Sequence, residues 1–277
     1  MQASSRKMKK DYIPISEDES ALSETSFIEE FWTQKWDLHD LPNLLAERIE
    51  KREEFKLMRP YLSDLPPQSR MLDGGCGLGE WTLYFAAKGY DVTGLDLSQA
   101  TIDKLKERYP GHSFLAGDIR KTDFEEDAFG AYFSWGTFEH FEDGLGKPLA
   151  EARRILKAGG YLFISVPFQN SRHLRHERRA LGQWDENFNR RSGYHTRMRF
   201  YQWRLTRPEL MRELEMNGFK VLKIAAIHKW QGLRRTIRQD LHLDPKSWIG
   251  KAVLVLLYPL IPKAYAAHML LAVGQKR

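Results

Sequence analysis

The run Asp73-Gly74-Gly75-Cys76-Gly77-Leu78-Gly79 constrains this chain more than any other stretch. It follows the apolar pair Met71-Leu72 and leads into Glu80-Trp81-Thr82-Leu83-Tyr84-Phe85-Ala86-Ala87, which reads as a helix. An apolar strand therefore ends in a carboxylate, crosses a turn with glycine at alternate positions and enters a helix. Glycine lacks a Cβ and accepts positive φ, so such a turn brings bare main chain close to a ligand. The helix behind it points its first N–H groups at the same place. A dinucleotide fingerprint needs Gly-x-Gly-x-x-Gly/Ala. Counted from Gly75, the sixth position is Glu80, a bulky anion where a pyrophosphate would approach.

The pattern is instead Asp-x-Gly-x-Gly-x-Gly. It resembles motif I of the class I S-adenosylmethionine-dependent methyltransferases, whose methyl donor carries a sulfonium and an ammonium group. Strand and helix patterns alternate downstream, as a sheet covered on both faces requires. Asp91–Leu97 reads as a second strand ending in Asp96, with Ser98 as the N-cap of a helix carrying Ile102, Leu105 and Tyr109. His112–Asp118 is a short third strand and Ala131–Trp135 a buried fourth. Leu149, Ala152, Ile155 and Leu156 form the stripe of a helix that Gly159-Gly160 is expected to stop. Tyr161–Val166 is a fifth strand, Thr206-Arg-Pro-Glu209 a capping box, Phe219–Ile227 a sixth strand and His268–Val273 a seventh.

The resemblance covers roughly residues 70 to 227 plus the last strand. It implies a Rossmann-like α/β fold: a seven-stranded, mostly parallel sheet, its last strand antiparallel, with helices on both faces. It also implies S-adenosyl-L-methionine as cofactor and a role for each matching residue. Asp73 would orient the methionine ammonium, while Gly75, Gly77 and Gly79 let the main chain approach. Asp96, with Leu97 beside it, would bind the ribose hydroxyls. Asp118 would accept from the adenine amino group and Ile119 would flank the ring. Ser134 and Trp135 end the fourth strand at the crevice where open α/β sheets bind ligands. Glu139-His140-Phe141 resembles a segment common in small-molecule methyltransferases. Either His140 is a general base, with Glu139 or Asp143 as substitutes, or the histidine packs beside the cofactor loop.

The acceptor side is read from two insertions. Residues 168–205 hold Arg178, Arg179, Arg190 and Arg191 among other arginines, interleaved with aromatics, with Tyr194 and His195 nearby. This is either an acceptor lid for an anionic sugar phosphate, nucleotide-sugar or glycan intermediate, or a solvated basic face. Residues 229–266 place basic side chains before Ala252–Ile261, a short apolar helix that either docks on an anionic membrane surface or packs on the core or a second subunit. The segment after the fourth strand, Ser-Trp-Gly-Thr-Phe, departs from the Asn/Asp-Pro-Pro-Tyr/Phe pattern of exocyclic-amine methylation, which argues against nucleic-acid and amide targets. Oxygen is favoured over nitrogen as the methylated atom. An apolar natural product or lipid intermediate, an RNA, or no acceptor at all (a cofactor-binding partner protein) are the competing readings.

The 277 residues allow one large α/β domain with elaborations. We expect a mobile segment over 1–25, a helical cap over 26–66 and the cofactor-binding domain over 67–277. The net charge of +6 favours anionic partners. One cysteine, Cys76, excludes a disulfide framework or cysteine metal cluster within the chain, so no metal is expected. The N-terminus has basic residues but no apolar run, and no apolar stretch is long enough to span a bilayer, which gives a cytoplasmic expectation.

Overall fold

The computed structural model describes residues 8–35, 46–66, 68–180 and 197–277. Its strands are β1 (Lys9–Ile15), β2 (Met71–Gly74), β3 (Val92–Asp96), β4 (Ser113–Ala116), β5 (Phe129–Trp135), β6 (Leu156–Pro167), β7 (Arg197–Arg204), β8 (Phe219–Ile227) and β9 (Met269–Lys276). The helices are α1 (Glu17–Ala21), α2 (Glu24–Lys35), α3 (Ala46–Lys51), α4 (Glu53–Leu62), α5 (Glu80–Ala87), α6 (Gln99–Arg108), α7 (Gly146–Ile155), α8 (Ser171–Ala180), α9 (Arg207–Met216), α10 (Lys229–Asp240), α11 (Trp248–Leu260) and α12 (Lys263–Ala266).

Seven strands form one sheet in the order β4-β3-β2-β5-β6-β9-β8. Pairs from β4 through β6 are parallel, and β9 runs antiparallel to both β6 and β8. This is the Rossmann-like class I methyltransferase topology that the sequence led us to expect. Strand order reverses between β2 and β5, which puts a crevice at their carboxyl ends.

Side-chain alternation along the strands divides the core. Leu72, Tyr132, Leu162 and Ile164 face Leu149, Ile155, Leu210 and Leu214 of α7 and α9. Met71, Ala131, Phe133 and Phe163 face Phe55, Met58 and Phe85 of α4 and α5. Burying a side chain such as Phe133 or Phe163 contributes roughly 2 kcal/mol, so this two-sided packing, rather than any surface pair, holds the sheet rigid under the crevice.

Local signals were mostly kept. Ser98 caps α6 by accepting from the Thr101 N–H at 3.2 Å. The Glu209 carboxylate accepts from the Thr206 N–H at 2.7 Å at the start of α9. The helix expected to stop at Gly159-Gly160 instead ends at Ile155, and β6 begins at once with Leu156. Gly159, at φ +75°, serves an irregularity in that strand, where β5 pairs first with Leu156 and then with Tyr161.

The segment expected to be mobile is structured from residue 8. Strand β1 pairs antiparallel with β7 in a separate two-stranded sheet, from Lys9 opposite Arg204 to Ile15 opposite Arg197. Its polar composition has a partner in the arginine-rich strand: Asp11 meets Arg204 at 2.7 Å, and Arg199 donates to the carbonyls of Glu19 and Leu22. Tyr12 also packs edge-on against Phe200. Several arginines expected to await an acceptor are therefore committed within the chain.

The 229–266 insertion forms a small satellite core from Leu233, Ile237, Leu254 and Ala266. Only Leu254 of the apolar side chains on α11 is buried there, whereas Trp248 is 79% exposed, Val255 66%, Leu256 65% and Leu260 68%. No described helix is long and apolar enough to cross a membrane.

Candidate active site

The crevice opens into a cavity of about 430 Å³, walled by the Gly turn, the ends of β3 and β5, and residues 117–119, and roofed by Ile28, Glu29 and Trp32 of α2. Gly75, Gly77 and Gly79 take φ of +76°, +50° and +71°. A Cβ on Gly75 would lie 2.3 Å from Thr137 Oγ1, so bare backbone is required there. Gly75 and Gly77 line the cavity. Gly79 does not: it leads into α5 and backs onto Phe114, a structural place rather than a ligand contact.

Three N–H groups of the turn are already engaged within the chain. Those of Gly75 and Cys76 donate to the Leu95 carbonyl at 2.7 and 3.0 Å, and that of Gly77 donates to Asp96 Oδ2 at 2.8 Å. In the first turn of α5, the Thr82 N–H donates to Asp73 Oδ2 at 3.1 Å, and the Thr82 hydroxyl to the same oxygen at 2.8 Å. The helix N-terminus expected to face a ligand is thus already facing a carboxylate, which disfavours a second anion.

Two buried carboxylates remain without a cation. Burial pushes the Asp73 carboxyl up to about 7, against the two Thr82 bonds. Burial also raises Asp96, opposed by main-chain N–H groups of Ser98, Gly77 and Leu97. Among the described residues neither carboxylate has an ion-pair partner; Arg52, at the rim, is held by Glu80 at 2.5 Å. Such a pocket favours a cationic ligand, because buried carboxylates ionise when a positive charge compensates them.

Other expected residues divide. Leu97, Asp118, Ile119 and Trp135 line the cavity. Asp118 is gripped by the Arg120 guanidinium, at 2.7 Å from Nη2. The Trp135 Nε1–H is buried without a partner, and its ring sits 5.1 Å from that of Trp81. Ser134 points into the sheet, donating to the Gly74 carbonyl at 2.6 Å. Among residues the sequence did not single out, Trp32, Arg52, Trp81, Thr137 and Phe141 line the cavity. A helical cap was expected over 26–66, but no sequence signal assigned Trp32 to this wall.

His140 lines the cavity, buried, with Nδ1 2.7 Å from the Tyr201 carbonyl. Its ring packs against those of Trp32 and Tyr201, at 5.1 and 5.0 Å. Burial pulls its pKa down to about 4, opposed by main-chain groups of Tyr201 and Gly136, so the imidazole is neutral at pH 7. That makes it a weak base. Glu139 is buried beside it with one oxygen unpartnered, and burial pushes its carboxyl up to about 8. It does not line the cavity and is protonated at pH 7. Asp143 also lies off the cavity, paired with Lys147 at 2.5 Å. Arg178 and Arg179 fall at the end of α8, where side chains lie outside the described set, and Arg190, Arg191, Tyr194 and His195 lie outside the described residues.

Residues 72–164 match the family described as methyltransferase domain. The chain carries a class I methyltransferase domain. Over 100 residues it is 32% identical to a malonyl-[acyl-carrier protein] O-methyltransferase of Serratia marcescens, covering 36% of this chain and 39% of the relative. Over 128 residues it is 35% identical to a demethylmenaquinone methyltransferase of Renibacterium salmoninarum, covering 46% and 53%. The chain thus aligns with about half or less of these curated relatives. Among solved structures, geranyl diphosphate C-methyltransferase of Streptomyces coelicolor superposes with a TM-score of 0.56 at 17% identity, over 93% of this chain and 99% of that one. The 1,6-didemethyltoxoflavin-N1-methyltransferase of Burkholderia thailandensis gives 0.55 at 20% identity, over 97% and 96%. The shared fold of the methyltransferase domain extends well beyond the stretch of detectable sequence identity.

Proposed function

We propose that this chain transfers a methyl group from S-adenosylmethionine to an oxygen of a small anionic acceptor. The observation that carries the reading is a cavity with two buried carboxylates that have no ion-pair partner among the described residues, which fits a cationic nucleoside rather than a phosphate. When bound, S-adenosylmethionine supplies an electrophilic methyl on a sulfonium. Asp73 meets the ammonium, Asp96 accepts from the ribose hydroxyls, and Asp118 and Ile119 hold the adenine. Trp135 and Trp32 exclude water from the methyl, so catalysis is chiefly placement of the acceptor in line with it. With His140 neutral and weakly basic, an acceptor that is already an oxyanion suits the site better than an alcohol. A sugar phosphate, nucleotide-sugar or glycan intermediate remains within this class, although the curated relatives named above act on other acceptors.

The Asp73 assignment has a pH signature. A cation beside the carboxyl favours its ionised form, so binding releases a proton and affinity rises with pH around the free-state value of about 7. Calorimetry from pH 6 to 7.5 is expected to show S-adenosylmethionine binding tightening several-fold, with the slope reduced in Asp73→Asn. A slope unchanged by that substitution rejects contact between Asp73 and the ammonium.

We also propose that α11 rests on an anionic bilayer surface. The exposed Trp248, Val255, Leu256 and Leu260 are accompanied by Lys246 and Lys251, both exposed, a combination that suits an acidic interface. Cosedimentation with phosphatidylglycerol vesicles is expected, weak with phosphatidylcholine and abolished in Val255→Asp/Leu256→Asp. Equal recovery from both vesicle types, or an unaffected double variant, removes this reading.

A further inference from the structure

A second cavity, of about 210 Å³, lies beside the first. Pro167 and Phe168 line it at the end of β6. The Gly136 N–H at the first cavity donates to the Ser165 carbonyl of the same strand at 3.0 Å. Neighbouring strands are spaced about 5 Å apart, so the two cavities open side by side at the carboxyl end of the sheet. Tyr201 stands between them: its ring packs on His140 of the first cavity, its neighbour Gln202 lines the second, and its hydroxyl lies within electrostatic reach of Arg235.

The walls of this cavity carry Arg172, Arg204, Arg235, His173 and His268 against Asp11, its lining carboxylate. Two of the arginines are already compensated. Arg172 is held by Asp240, Nε to Oδ2 at 2.7 Å, with Gln239 at 3.0 Å. Arg204 is held by Asp11 at 2.7 Å, and Gln202 also donates to Asp11 at 3.0 Å. These contacts fix the two guanidinium groups in place.

The third arginine is different. Arg235 has no ion-pair partner among the described residues; its hydrogen bond goes to His268 Nδ1 at 3.3 Å. Arg235 is exposed overall, and the partial burial of its guanidinium in the cavity wall pulls it below its ordinary value. Arg204 Nε–H, also in the wall, is buried with no partner at all. His268 and His173 are driven down to about 3 and about 4, first by burial and then by neighbouring cations, Arg235 for the former and Arg204 for the latter. The cavity therefore offers one guanidinium without a carboxylate partner among the described residues, one orphan N–H and two imidazoles held neutral chiefly by burial and secondarily by neighbouring cations. A group that satisfies all of these carries several acceptor oxygens and a high negative charge.

We propose that this cavity is a phosphoryl-binding subsite, with Arg235 as its principal ligand, that holds a phosphate or diphosphate group of the methyl acceptor. The second half of this statement rests on the methyltransferase reading above; the binding of the phosphoryl group does not. Arginine contributed by α10, outside the arginine-rich stretch first considered, then sets the acceptor class.

Inorganic phosphate and pyrophosphate titrated into the chain by calorimetry, with chloride as the balancing anion, test this. Binding of at least one of the two is expected. Arg235→Ala weakens it roughly tenfold or more, and Arg235→Lys recovers part of the loss. Folding of each variant is checked by its S-adenosylmethionine affinity, which stays at the wild-type value because Arg235 lies outside the donor cavity. No binding of either anion at about 10 mM, or affinity unchanged in Arg235→Ala, overturns the proposal. Phosphate binding in a chain that fails to bind S-adenosylmethionine leaves the subsite standing and removes the donor reading instead.

Discussion

Asp96→Ala is expected to weaken S-adenosylmethionine binding by about a hundredfold or more, because two hydrogen bonds to a charged group contribute roughly 1.5–3 kcal/mol each. The carboxylate ends β3, and its oxygens accept from the Gly77 and Ser98 N–H groups at 2.8 and 3.0 Å. Each oxygen retains a second lone pair for the cavity, which Asp96 lines. The variant should nevertheless fold. Removing an uncompensated buried carboxylate relieves its desolvation, which offsets the two N–H groups left behind. Calorimetry measures the loss, and a melting temperature within a few degrees of wild type separates it from unfolding. Asp96→Asn, similar in shape but uncharged, should fall between. Unchanged affinity in Asp96→Ala removes the ribose assignment.

Gly75→Ala is expected to lower stability by about 2–4 kcal/mol and to abolish measurable cofactor binding. A left-handed backbone costs a residue with a Cβ about 1–2 kcal/mol, and Gly75 sits at φ +76°. The added carbon would also lie 2.3 Å from Thr137 Oγ1 and 2.9 Å from Thr137 Cβ, so either the turn or the segment after β5 must shift. Both segments wall the cavity. Gly79→Ala supplies the comparison: it has a similar φ and a clash with Phe114 at 2.7 Å, but faces away from the ligand. The two variants should lose similar stability by chemical denaturation, yet Gly79→Ala should retain the greater part of its affinity. Equal binding losses in both mean that the turn acts only through the fold.

The central sheet was legible because each of its strands is a local apolar run closed by a local signal. Phe219–Ile227 matches β8 at both ends, and Ser98 caps α6 as its position implied. The small β1–β7 sheet was not legible. Its pairing joins residues about two thirds of the chain apart, and an isolated polar strand such as Lys9–Ile15 reads as disorder until its arginine-rich partner is beside it. Asp73, Gly75, Gly77, Asp96 and Asp118, singled out in the sequence because they close strands or turns, do line the cavity, since the strand ends meet there. Ser134 and Gly79 were assigned to the ligand because they adjoin it in sequence; strand alternation turns the first into the sheet and the helix start turns the second toward Phe114. Glu139 and Asp143 were candidates by type alone, and burial in one case and an exposed ion pair in the other decided against direct contact. Arg235 drew no particular attention among the basic residues preceding the apolar helix. Its significance lies in having no carboxylate partner among the described residues while lining a cavity, which no linear sequence displays.

Transfer of label from [methyl-³H]S-adenosylmethionine, supplied to the chain with a small-molecule extract and resolved by anion exchange, tests the methyltransferase reading most directly. The predicted result is label in an acidic small molecule, one S-adenosylhomocysteine formed for each methyl moved, and loss of both in Asp96→Ala. S-adenosylhomocysteine formation no faster than in the protein-free control, while S-adenosylmethionine still binds, would contradict the methyltransferase reading; label in a product whose unmethylated form is neutral would contradict the anionic acceptor.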